Sequence, residues 1–307
     1  MLRLLARLFM LRNLPTLEGD IYTIRNPLVL LKGSGSIVLT DGTELRFDKA
    51  NRADMTNIAI FAINEGVKFG PKKGQWKIDQ ESGIIETPQK LRFHISGLEP
   101  TIFGETFLYD VHFAGFDLKD KVVVEAGAFI GDTALYYASM GATVYSFEPD
   151  LESFQLAKRN LALNEPLSRR IQLYNYALGK DGEVDFPVNP SGSGGSSIHL
   201  AASAYRRVRS VSLKTVLEEF NIEKPYLLHL DVKGEEFTII EESDLSRFER
   251  VRIEYSPYLV PKTRKDFRDL DFLMRRLAES GFVHTRIYKH NSGRYDLHNH
   301  GTIDASK

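Results

Sequence analysis

Apolar and polar positions from Lys121 to Asp150 follow two periods in turn. Val122 to Val124 is a short apolar, β-branched run that ends on Glu125. Bounded by a turn, such a run predicts a buried strand. Gly127 to Gly131 reads as a glycine turn. Asp132 to Met140 carries a helical pattern stopped by Gly141, and Thr143 to Phe147 is a second β-rich run ending on Glu148. The stretch therefore predicts strand, turn, helix, strand, with an acid at each strand tip. Glycines let the backbone approach a ligand closely. The amides opening the helix offer unpaired donors to a polar or negative group. An acid at the second tip is placed to accept the hydroxyl hydrogens of a ribose.

The alternation continues downstream. Asp150 caps a predicted helix through Leu163, with Phe154, Ala157 and Leu161 at core spacing. Ile171 to Tyr174 predicts a third strand, and Asp181-Gly182 starts a hairpin with arms at Glu183 to Val188 and Val208 to Val211. Between those arms, Asn189 to Ser197 is rich in glycine and serine. It reads as a flexible connection or as a lid. Ser212 caps a helix from Leu213 to Phe220, Tyr226 to Leu230 gives strand four, and Val251 to Tyr255 gives strand five. Asp266 to Ser280 is amphipathic, with Phe267, Leu270, Phe272, Leu273 and Leu277 on its apolar side and Gly281 as its stop. Asp269 and Asp271 within it read as a polar face. Phe282 to Tyr288 and Arg294 to Leu297 predict a closing antiparallel pair, and His298 and His300 a polar tail with too few ligands for a metal.

Upstream the pattern is weaker. Ser36 to Leu39 and Glu44 to Phe47 alternate around Asp41-Gly42, a hairpin signal. Asn57 to Glu65 reads as a helix, Gly70 to Gly74 as a basic turn, and Trp76 to Ile78, Gly83 to Glu86 and Leu91 to Ile95 as short strands. Residues 1–12 put Arg3 and Arg7 on a narrow face opposite leucines. They are too short to span a bilayer. The segment reads as a helix packed on its own domain or on a partner chain, such as a second copy, or as an interfacial membrane anchor. The division expected is 1–19 as this amphipathic segment, 20–118 as a β-rich region, and 119–307 as the domain built on the strand–turn–helix unit.

Composition narrows the picture. A hydrophobic content of 42% supports a real core, and a net charge of −1 supplies no basic field to recruit nucleic acid. The chain has no cysteine, which suits a reducing, cytoplasmic compartment. That absence excludes cysteine-ligated iron–sulfur chemistry and a cysteine nucleophile.

The spacing then narrows the ligand. A dinucleotide fingerprint wants G-x-G-x-x-G, whereas this turn is Glu-x-Gly-x-x-x-Gly. An acid before the turn repels a pyrophosphate and suits a ligand with a cationic end, as in the ammonium and sulfonium of S-adenosylmethionine. Here the chain resembles the class I methyltransferases, and more narrowly the FkbM family, whose first motif reads D-x-G-A-N-x-G-D-T and continues to F-E-P. Gly127, Ala128, Gly131, Asp132, Thr133, Phe147, Glu148 and Pro149 stand as in that pattern, while Glu125 and Phe129 replace its Asp and Asn. The resemblance implies that these ten residues, with Asn175 and Ala177 of an N-x-A-L-G segment, hold S-adenosylmethionine. The family pattern K-x-D-V-E-G-x-E falls on His229 to Glu236. Asp231, Val232, Gly234 and Glu236 match, and His229 and Lys233 depart. It implies catalytic roles for Asp231 and Glu236. Lys233 and Glu254 are candidate acceptor contacts, with Lys233, if inward, favouring an anionic acceptor and lowering the pKa of Asp231.

The expected fold is α/β: a Rossmann-like class I methyltransferase, with a mostly parallel seven-stranded sheet, helices on both faces and a smaller β-rich N-terminal region. The activity this resemblance implies is O-methylation of a sugar, lipid or other small-molecule acceptor. The rivals are a catalytically silent binding protein of the same fold and an NAD(P)-dependent oxidoreductase. No metal is expected. Location is cytoplasmic, peripheral to a membrane if residues 1–12 anchor.

Overall fold

The computed structural model describes residues 29, 32–38, 44–52, 55, 77–87, 89–98, 100–107, 117–188, 197–199, 201–260, 269–289 and 299–307. The expected elements at residues 1–12, 41–42, 57–65 and 70–74, most of the 189–197 loop, the start of the 266–280 helix and the strand at 294–297 lie outside these residues. The chain divides into two compact units, Met1–Gly115 and Phe116–Lys307. In the first, β1 (Gly35–Val38) and β2 (Glu44–Phe47) form an antiparallel pair. Strands β3 (Lys77–Asp79), β4 (Ile84–Glu86) and β5 (Arg92–His94) form a small antiparallel sheet, followed by helix α1 (Pro100–Phe107). Phe93, Phe103 and Phe107 make its aromatic centre, with the Phe93 and Phe103 ring centroids 4.9 Å apart and edge-on.

The second unit is an α/β sandwich. Its order is β6 (Val122–Ala126), α2 (Asp132–Ser139), β7 (Thr143–Phe147), α3 (Leu151–Ala162), β8 (Ile171–Tyr174), β9 (Ala177–Leu178), β10 (Gly182–Pro187), β11 (Tyr205–Val211), α4 (Leu213–Glu219), β12 (Leu227–Leu230), α5 (Glu236–Glu242), β13 (Arg250–Tyr255), α6 (Leu270–Glu279), β14 (His284–Lys289) and β15 (Gly301–Ser306). Seven strands form one sheet in the order β14-β15-β13-β12-β6-β7-β8, in which only β15 runs against its neighbours. This is the Rossmann-like methyltransferase arrangement expected. The order reverses between β6 and β12, where an open α/β sheet presents its ligand crevice.

Alternation along the strands divides the two faces. Val124, Ala126, Leu228, Leu230, Val251, Ile253, Ile303 and Ala305 point into the main core, which they share with Val216, Phe237, Leu273 and Leu277 of α4, α5 and α6. On the other face, β7, β6, β12, β13 and β15 present Ser146, Glu125, His229, Arg252 and Asp304, each the register partner of the next and all buried. Tyr137 of α2 sets its ring edge-on to His229, 5.7 Å between centroids. A polar row thus crosses a face that alternation alone assigns to the interior. Such groups persist in an interior only with partners. Asp304 has one in Arg250, whose Nε and a terminal nitrogen donate to it at 3.0 and 3.1 Å.

Two local expectations change. In α3 it is Leu156, with Ala157 and Leu161, that is buried, while Phe154 is half-buried beneath the Lys158 ammonium. The partner of β14 is Gly301–Ser306, not a polar tail. This final strand inserts between β13 and β14 and is almost wholly buried. Its alternation of Thr302, Ile303, Asp304 and Ala305 is that of a strand whose polar positions find buried partners.

Candidate functional site

The glycine turn is shaped by backbone contacts that exclude side chains. Gly127 and Ala128 both donate their amides to the Phe147 carbonyl, at 2.9 and 3.1 Å, which ties the turn to the tip of β7. Gly127 has φ +94°, and a Cβ there would lie 2.1 Å from the Asp231 carbonyl oxygen. Asp231 in turn donates its amide to the Ala126 carbonyl at 2.9 Å. The tips of β6, β7 and β12 are therefore stitched together by main chain alone. Gly131, at φ +79°, opens α2 and offers no side-chain cap to the amides of its first turn. Asn160 of α3 braces the turn from below, donating to the Ile130 carbonyl at 2.9 Å.

Glu148 closes this constellation. It is 5% exposed. One carboxylate oxygen accepts from the Phe129 amide at 2.7 Å and the other from the Asp150 amide at 2.9 Å. Burial pushes its pKa up to about 8, against the pull of those two amides and with a further push from the Asp150 and Asp231 charges. Phe129 holds φ +46°, a left-handed conformation uncommon for an aromatic residue. The family pattern places Asn there, which tolerates it.

The other expected cofactor residues separate into those near the crevice and those beneath it. Glu125 lies beneath, fully buried, accepting a hydrogen bond from the Ser146 hydroxyl and 3.7 Å from His229 Nδ1. Phe147 also points away, stacked on Tyr174 in the core, and contributes its carbonyl. Asp132 and Thr133 are buried in the first turn of α2. Asn175 donates its amide hydrogens to the Glu148 and Pro149 carbonyls, at 2.8 and 3.0 Å, so it fixes the loop that carries Glu148. Ala177 is buried and pairs with Ser210.

The residues expected on the acceptor side gather at the tips of β12 and β13, with His300 just before β15. The Lys233 ammonium lies 2.7 Å from Asp231 Oδ1 and donates to Glu254 Oε1 at 2.5 Å. His300 Nε2 lies 3.2 Å from the same Glu254 oxygen. Asp231 Oδ1 is buried and has no aligned hydrogen-bond donor, so its contact with Lys233 is an ion pair. Burial and the Glu254 charge raise the pKa of Asp231, and Lys233 only partly opposes them. Its side chain is 27% exposed, which lets solvent moderate the shift. The inward Lys233 does lower the pKa of Asp231, as expected, but burial and Glu254 outweigh it and the net direction is upward. For Lys233 burial works against the ammonium, and Asp231 and Glu254 outweigh it, so the pKa lies well above the ordinary lysine value.

Glu236, expected to be catalytic, has both oxygens on main chain. One accepts from Gly234 at 2.6 Å, the other from Ser256 at 2.5 Å. It fastens the β12 tip to the end of β13. His300 was missed because its neighbours in sequence are polar, and only the placement of β15 brings it against Glu254. Ser197 and His199 were missed too. The Ser197 hydroxyl donates to the Lys233 carbonyl at 2.5 Å, and His199 Nε2 lies 3.4 Å from Glu235. Among the described residues no group of three or more His, Cys, Asp or Glu could hold a metal ion, and no helix is long and apolar enough to cross a membrane.

The methyltransferase FkbM domain model matches residues 125–283. The chain belongs to the FkbM methyltransferase family. The match takes in the glycine turn, Glu148, Asp231, Lys233 and Glu254. No curated protein matches the chain. Among solved structures, the METTL16 methyltransferase domain is 15% identical with a TM-score of 0.43, covering 90% of this chain and 87% of that one. The magnesium protoporphyrin IX methyltransferase of Synechocystis, solved with bound SAH, is 14% identical with a TM-score of 0.39, covering 67% and 82%. The precorrin-6y C5,15-methyltransferase of Geobacter metallireducens is 13% identical with a TM-score of 0.37, covering 75% and 98%.

Proposed function

We propose that this FkbM-family protein transfers a methyl group from S-adenosylmethionine to a hydroxyl oxygen of a small-molecule, glycan or lipid acceptor. The observation that carries the reading is Glu148: a buried acid bonded to the amide of the glycine turn, beside a helix start that has no side-chain cap. The residues fit the ligand. Each carboxylate oxygen has lone pairs beyond those its amides use, so ribose hydroxyls can donate to it. The first turn of α2, which has no side-chain cap, suits the ligand's carboxylate. A carboxyl held at about 8 by burial gains by ionising beside a cation.

S-adenosylmethionine supplies the methyl as an electrophile on a sulfonium. The chain's own residues position and receive. Asp231, with a raised pKa and a side chain that is still partly exposed, accepts the proton of the acceptor hydroxyl. With the methyl donor held by the turn and Glu148, transfer to the acceptor oxygen would leave the electron pair of the broken C–S bond on sulfur and the hydroxyl proton on Asp231. In-line displacement needs little covalent help, so orientation and exclusion of water supply most of the acceleration. Glu236 and Asn175 act as positioning residues through the main chain they hold.

The test is calorimetry with S-adenosylmethionine, S-adenosylhomocysteine and NAD, followed by methyl transfer to a panel of hydroxylated acceptors. Binding of the first two and not NAD, with transfer to oxygen, is the expected result. Binding of NAD alone overturns the reading. Tight S-adenosylhomocysteine binding with no turnover on any acceptor makes the protein a binding module.

A further inference from the structure

The FkbM pattern places an acid at position 233, and this chain has a lysine there. A lysine beside the reacting centre invites the idea of an anion receptor. The geometry argues otherwise. The ammonium is spent on two carboxylates from different strand tips, at 2.7 Å from Asp231 Oδ1 and 2.5 Å from Glu254 Oε1. Glu254 is itself held by His300 at 3.2 Å. Two acids face one lysine, so the cluster offers an incoming phosphate or carboxylate no net positive charge.

The placement is also built rather than incidental. Lys233 sits at φ +49°, a conformation that a non-glycine residue keeps only where its surroundings impose it. They do so on both sides. Its carbonyl accepts from the Ser197 hydroxyl at 2.5 Å, and the next amide, of Gly234, donates to buried Glu236 at 2.6 Å. Gly234 has φ +110°, and a Cβ there would lie 2.7 Å from the His199 ring. A turn pinned at three points turns the lysine stem inward, leaving its side chain 20% exposed.

We infer that Lys233 and Glu254 form an ammonium–carboxylate pair that positions Asp231 and sets its charge state, and that the acceptor is an uncharged hydroxyl compound. This rests on the reading of Asp231 as the group that takes the acceptor's proton. The ionisable groups that face Asp231 are Lys233 in the same turn, His229 on β12, Glu254 on β13 with His300 behind it, and Glu148 at the tip of β7. Of these, Lys233 and Glu254 act with opposite sign. Removing one must move Asp231 in the opposite direction from removing the other, which general loosening of the site does not do.

The experiment follows the Asp231 carboxyl by carbon-13 NMR against pH in aspartate-labelled wild type, K233M, K233R and E254Q, with D231N identifying the resonance. K233M should titrate higher than wild type by about one unit or more, E254Q lower, and K233R close to wild type. Shifts of the same sign in K233M and E254Q, or none, overturn the proposal. If K233M fails to fold, E254Q decides alone, because it leaves Lys233 its partner Asp231 and must still lower the midpoint. Sulfate is titrated into wild type while the Lys233 ammonium resonance is watched. No response is expected; a response that K233M loses makes Lys233 an anion receptor and overturns the proposal. Calorimetry with S-adenosylmethionine on the same samples keeps the two readings apart. Opposite Asp231 shifts without cofactor binding would sink the methyltransferase reading and leave the pair's effect on Asp231 in place.

Discussion

Replacing Glu148 with glutamine should uncouple S-adenosylmethionine affinity from pH. The folded protein holds this carboxyl at about 8 against an ordinary 4.5, chiefly because it is buried. That gap corresponds to roughly 5 kcal/mol at about 1.4 kcal/mol for each pH unit. The folded pKa is raised, so the protonated form is the stable one. The stability it confers is complete below 4.5 and is lost as pH rises through about 8. A ligand that donates ribose hydroxyls to the carboxylate and brings a sulfonium nearby reverses the preference, so binding expels the proton. Wild-type affinity should therefore rise with pH, by up to about tenfold per unit, and level off above about 8. Glutamine keeps the volume and cannot ionise. Its affinity should be flat with pH, and at alkaline pH weaker than wild type by about 1.5–3 kcal/mol, roughly ten- to a hundredfold in Kd. Calorimetry in two buffers of different ionisation heat counts the proton directly. A wild-type affinity that ignores pH, or a glutamine variant with the same slope, would refute the reasoning.

Substitutions at two other positions probe the frame of the site. Glu236→Ala leaves the buried amides of Gly234 and Ser256 without their acceptor and should cost about 2–5 kcal/mol in denaturant unfolding. Burial raises the Glu236 pKa to about 7, so wild-type stability should fall as pH rises through that value, a slope that Glu236→Gln removes. Gly127→Ala drives a Cβ to 2.1 Å from the Asp231 carbonyl oxygen. Neither atom can rotate away, so thermal unfolding should show a loss of about 1–3 kcal/mol or more, and calorimetry the loss of cofactor binding. An alanine variant with wild-type stability and affinity would mean that the three strand tips are less tightly joined than the structure has them.

What the sequence made legible was local. The strand–turn–helix–strand unit could be read because β-branched runs, glycines and caps act within a few residues. Asp150 and Ser212 do cap their helices, accepting from Ser153 and Thr215 at 2.9 and 3.1 Å. Asp269, read as part of a polar face, is likewise a cap, accepting from Phe272 at 3.0 Å. What stayed hidden depends on separation along the chain. His300 meets Glu254 from 46 positions away, and Ser197 meets Lys233 from 36. Neither pairing leaves a periodic mark. The last strand was missed for a related reason. Its polar residues, Asp304 above all, signal solvent until Arg250, on another strand, is known to face them.

The departures from the family pattern make sense as a set once the register is known. Positions 125 and 229 are direct partners on adjacent strands. The pattern puts a short acid and a long base there, Asp and Lys. This chain has a longer acid and a shorter base, Glu125 and His229, 3.7 Å apart. Lengthening one side chain while shortening the other spans the same gap between two strands whose spacing is fixed by their hydrogen bonds. The exchange also withdraws a permanent cation from the interior of β12, since an imidazole is charged only when protonated. A lysine appears four residues later, at the tip, where the pattern has an acid. There its ammonium lies between Asp231 and Glu254. The fixed positive charge has moved from beneath the glycine turn to the acceptor side of the crevice. Glu148, the acid proposed to hold the cofactor, stands as in the pattern, while the charge balance around Asp231 becomes this protein's own. Differences from its relatives should therefore fall on acceptor choice and on the pH at which Asp231 works, and leave the cofactor site alone.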